Sequence, residues 1–69
     1  MKKFVVSLTH LYSSDPTKLK IVEAVSDLEA AKAELINEGI FDETEIDTVN
    51  YVVWLFRDCA DMAFAIIEI

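Results

Sequence analysis

Residues 42–61 read DETEIDTVNYVVWLFRDCAD, and the fold turns on whether this stretch is a strand or a helix. The run Val49 to Phe56 is rich in β-branched and aromatic residues, which favours a strand. As a strand, however, both of its faces are apolar: Val49, Tyr51, Val53 and Leu55 on one, Val52, Trp54 and Phe56 on the other. A helical period sorts the residues better. Glu43, Asp47, Asn50, Arg57, Asp58 and Asp61 then gather on one side. Val49, Val52, Phe56 and Cys59 fall opposite, flanked by Tyr51 and Leu55 on one side and Val53 on the other. Asp42 and Thr44 are the candidate caps. A helix is the preferred assignment, and a β-hairpin of residues 46–57 and 62–69 is the alternative.

Upstream, residues 3–12 and 17–25 read as two strands around the turn Ser13-Ser14-Asp15-Pro16. A four-residue loop pairs Tyr12 with Thr17, Leu8 with Ile21 and Phe4 with Val25. That register puts Phe4, Val6 and Leu8 on the same face as Leu19, Ile21 and Val25, with His10 and Glu23 as the polar exceptions. Those two stand roughly 13 Å apart along the ladder, too far for an acid–base pair.

A capping box, Ser26-Asp27-Leu28-Glu29, opens the next helix, with Ser26 and Glu29 each satisfying an amide. Leu28, Ala31 and Leu35 form its apolar stripe, with Asp27, Glu34 and Glu38 on the far side. Gly39 stands where a left-handed C-terminal residue belongs. The final run, Met62 to Ile69, reads as a strand placed beside the first. The expected fold is a small single-domain α+β protein, β-β-α-α-β, with an antiparallel or mixed sheet and helices on one face. The hairpin alternative gives β-β-α-β-β.

Sixty-nine residues support only a marginal core, since a chain of this size buries roughly 60% of its unfolded surface. A lone cysteine, Cys59, permits no internal disulfide, and with the single histidine His10 it falls short of a zinc site. Yet 54% of the residues are hydrophobic, more than so small an interior needs, so a homo-oligomer, most simply a dimer, is expected. The net charge of −7 argues against direct binding of nucleic acid or an anionic membrane. It suits a partner with a basic surface. Lys2 and Lys3 before Phe4 to Leu8 resemble a signal peptide only faintly, and the expected location is cytoplasmic.

One glycine in the chain excludes a phosphate-cradling loop. The acidic run from Asp42 to Asp47 lacks the turn glycine and ligand spacing of a calcium loop. Cys59 is expected to be buried as a small hydrophobe, so no nucleophile is predicted, and neither catalysis nor a cofactor is expected. Tryptophan and arginine are enriched at binding hot spots, so the candidate partner-binding residues are Trp54, Asp47, Asn50, Arg57, Asp58, Asp61 and Glu43. A nucleic-acid-mimicking version of this surface runs about 27 Å along the helix, from Glu43 to Asp61, with Glu34 and Glu38 adding carboxylates.

The size, the acidity and the strand–strand–capped-helix layout (Phe4 to Tyr12, Leu19 to Val25, Ser26 to Glu38) resemble small phage-encoded inhibitors of host or defence machinery, including anti-CRISPR and anti-restriction proteins. The resemblance carries no motif and transfers no functional residue. It implies a protein-binding inhibitor, against the alternative of a structural subunit that only self-assembles.

Overall fold

In a computed structural model, which describes residues 1–40 and 45–69, the chain runs β1 (Lys2–His10), β2 (Lys18–Ala24), α1 (Asp27–Asn37), α2 (Val49–Ala60) and β3 (Met62–Glu68). The order is the expected β-β-α-α-β, and residues 49–60 are helical. The sheet order is β2-β1-β3, with both pairings antiparallel. The last strand therefore lies beside the first.

Both helices cover one face of the sheet. Val6 and Leu8 of β1 meet Met62 and Phe64 of β3, Ala31 and Leu35 of α1, and Val52, Leu55 and Phe56 of α2, and Phe4 is buried as well. The Phe56 and Phe64 rings stack with centroids 4.8 Å apart, locking α2 onto β3. Each such side chain, fully removed from water, stabilises the fold by roughly 1.5–3 kcal/mol.

The hairpin register differs from the sequence expectation. Phe4 pairs with Val22, Val6 with Lys20 and Leu8 with Lys18. The connection covers residues 11–17 rather than four residues, and its first residue stays with the β3 side, Leu11 N donating to Asp61 O (2.9 Å). The shift is by an odd number of residues, so every β2 side chain changes face. Leu19 and Ile21, expected inside, are 69% and 64% exposed, and Val25 is exposed as well. Val22 and the stems of Lys18 and Lys20 take the inner positions. His10 and Glu23 lie on opposite faces of the sheet, His10 facing Met62 across β3 and Glu23 facing Lys3.

The physical reason for the register lies in α1. Glu34 was expected on the solvent side but is only 1% exposed. Lys20 Nζ stands 2.7 Å from its Oε2, as an ion pair rather than an aligned hydrogen bond. The expected register would turn Lys20 outward and leave a buried carboxylate uncompensated.

Helix ends follow their local chemistry. Ser26 Oγ accepts from Glu29 N (3.2 Å), but Glu29 turns its carboxylate toward Lys32 (3.7 Å) instead of closing the box. Gly39, at φ 74°, lets Ile40 N reach Leu35 O and Gly39 N reach Ile36 O, the paired bonds of a Schellman ending. Thr48 caps α2, its Oγ1 accepting from Tyr51 N at 3.1 Å. The candidate caps Asp42 and Thr44 lie outside the described residues.

Among the described residues, no helix covers the outer face of the sheet. Reading across β2, β1 and β3, its rows are Glu23–Lys3–Ile69, then Ile21–Val5–Ile67, then Leu19–Ser7–Ala65. A last row, Thr17–Thr9–Ala63, is tied by a 2.9 Å contact between the two threonine hydroxyls. Among the described residues, no helix is long and apolar enough to cross a membrane.

Candidate protein-binding surface

Helical spacing brings Asn50, Trp54 and Asp58 into one column of α2, with Arg57 and Asp61 in the next. Trp54 is 53% exposed. Its indole stacks on the Tyr51 ring one turn earlier, with centroids 5.9 Å apart and planes 15° from parallel. The aromatic surface is thus held in place by its own helix, so a partner meets a ring already fixed.

Beside it lies a shallow concavity of about 440 Å³, lined by Trp54, Arg57, Asp58 and Asp61 from the end of α2 and by Leu11 and Tyr12 from the hairpin connection. The Leu11–Asp61 backbone bond fastens these two segments together. Asp61 itself adopts the left-handed conformation (φ 51°, ψ 46°) that ends α2 and turns the chain directly into β3. The charged groups of the concavity make no ion pair with one another among the described residues, and Arg57, Asp58 and Asp61 are each exposed. The C-terminal end of a helix carries partial negative charge, which adds to the two carboxylates and favours a cation.

Four of the residues singled out from the sequence, Trp54, Arg57, Asp58 and Asp61, therefore share one concavity. Asn50 is exposed one turn away, and Asp47 precedes the helix rather than standing on it. Glu43 lies outside the described residues. Of the longer acidic stripe, α2 carries only the part from Val49 onward, and Glu34 is buried. Leu11 and Tyr12 were missed. Their only sequence signal is a pair of bulky apolar residues beside a turn, and their place at the site depends on a tertiary hydrogen bond. Cys59, expected on the buried side, is exposed and free. Packing against the sheet centres on Val52, Leu55 and Phe56, which rotates Cys59 outward.

Among the described residues, no group of three or more His, Cys, Asp or Glu side chains is placed to hold a metal ion. Comparison with protein-family models, with curated proteins and with solved structures gives no match.

Proposed function

We propose that this chain is a non-catalytic protein-binding module, acting as a stoichiometric inhibitor that docks a basic segment of a partner protein on the concavity at the end of α2. The observation that carries this reading is the half-exposed Trp54, backed by Tyr51 and bordered by Asp58 and Asp61. An aromatic anchor ringed by carboxylates suits a lysine or arginine side chain, through ring–cation attraction and charge pairing together. Arg57 sets the limit of that preference, since it offers a carboxylate on the partner a place in the same concavity.

The test is affinity capture from lysate of the host cell with the wild-type chain and with Trp54→Ala/Asp58→Lys. One protein retained in equal stoichiometry by the wild type and released by the double variant is the expected result. The released complex should also weaken as salt is raised, because rim charges are screened. Retention of the same protein by both chains overturns the reading.

A further inference from the structure

We infer that a second copy of this chain covers the outer face of the sheet, packed face to face with its strands antiparallel to those of the first. The inference rests on the bare sheet face and is independent of the α2 concavity.

Two middle rows of that face are apolar or small, and Leu19, Ile21 and Ile67 are 69%, 64% and 67% exposed. Among the described residues, Lys3 and Glu23 are the charged ones in its rows, and they cancel. The acidic excess of the described residues is therefore carried elsewhere. A charged partner finds nothing to pair with here. A second copy brings an equally neutral surface and keeps its acidic helices on the far side, where the two sets of like charges are furthest apart.

The rows also select the orientation. A two-fold axis along the strands sets Lys3 over Lys3 of the other copy. An axis across the strands reverses the rows instead, so Lys3 and Glu23 meet the threonine row and the Ile21 row meets the Leu19 row. In that arrangement Ile67 lies over the small Ala65 of the other copy, and Val5 lies over Ser7. Facing sheets stand about 10 Å apart, a gap that these two large-over-small pairs fill beside the larger pair of Ile21 over Leu19.

Size sets the strength. Three strands about 4.8 Å apart, with eight residues at about 3.3 Å each, cover roughly 400 Å² per copy. About 800 Å² across both copies is below the roughly 1,200–2,000 Å² of stable complexes, so the dimer is reversible.

Sedimentation between about 5 and 500 μM tests this. The expected result is a passage from monomer to dimer that Ile21→Lys/Ile67→Lys abolishes while leaving the circular dichroism and Tm unchanged. A wild-type chain that stays monomeric throughout, or a dimer that survives the double substitution, overturns it. An isotope-mixed wild-type sample needs no variant. Intermolecular contacts between the Ile67 and Ala65 methyl groups support the arrangement, and contacts between Ile67 and Ile21 overturn it. The amides of Phe64 and Ile66 point away from β1 at the free edge of β3. If dimerisation protects them from hydrogen exchange, the copies pair edge to edge and the inference fails.

Discussion

Glu34 is fully covered, and among the described residues its ion-pair partner is Lys20, whose side chain is 43% exposed. Removing one partner of a buried pair typically costs 3–5 kcal/mol; here water reaches the ammonium, so Lys20→Met should cost about 2–3 kcal/mol in urea unfolding. Lys20→Met/Glu34→Leu should recover most of that loss, because no charge is then left buried. A double variant as unstable as the single one would show that Glu34 acts through something other than its charge. The opposite sign is expected at Asp61, whose backbone is left-handed. Asp61→Gly removes that strain and should raise stability by about 0.5–1 kcal/mol. It also deletes a carboxylate of the concavity, so stability and partner affinity should move in opposite directions in the same variant. At this scale the sequence was partly legible. Trp54, Arg57, Asp58 and Asp61 could be grouped by helical spacing alone. Glu34 could not be placed, since its burial depends on a lysine from another element.

The element scale explains the remaining differences. Helix α2 was legible because only a 3.6-residue period separates Val52, Leu55 and Phe56 from Asn50, Arg57 and Asp58. Its start was not, because Asp42, Thr44, Asp47 and Thr48 are all competent caps by residue type. Thr48→Ala should cost about 1 kcal/mol, read as a lower Tm with unchanged native helicity. Strand β2 shows the limit of alternation. Lys18-Leu19-Lys20-Ile21 states plainly that two faces differ, but not which one meets the core. The usual assumption sends the apolar set inward. Here it is reversed, and the buried Glu34, paired with Lys20, rewards the other choice. A hairpin register is a tertiary property wherever the loop has no fixed length, and seven residues without a two-residue turn leave it open.

For the whole molecule, charge and shape give linked expectations. Among the described acidic residues, Glu23 alone stands in the outward rows of the strands. Raising salt from about 50 to 500 mM should therefore strengthen self-association, as repulsion between copies is screened, while weakening capture of a basic partner at α2. Equal responses would mean that one surface serves both. The topology has a further consequence, for synthesis. Strand β1 precedes the other elements and sits in the middle of the sheet, yet Phe4 pairs with Glu68, 64 residues further along. Contacts so distant in sequence slow folding, since the intervening chain must be ordered before they form. A nascent chain released from the ribosome only as far as Ala60 has the hairpin and both helices but lacks Phe64, against which Phe56 stacks. Such a fragment, made as residues 1–60, should show little cooperative unfolding by circular dichroism. Adding residues 61–69 as a separate peptide should restore part of it. Folding of these residues is thus expected to wait for β3, the strand whose arrival commits the rest.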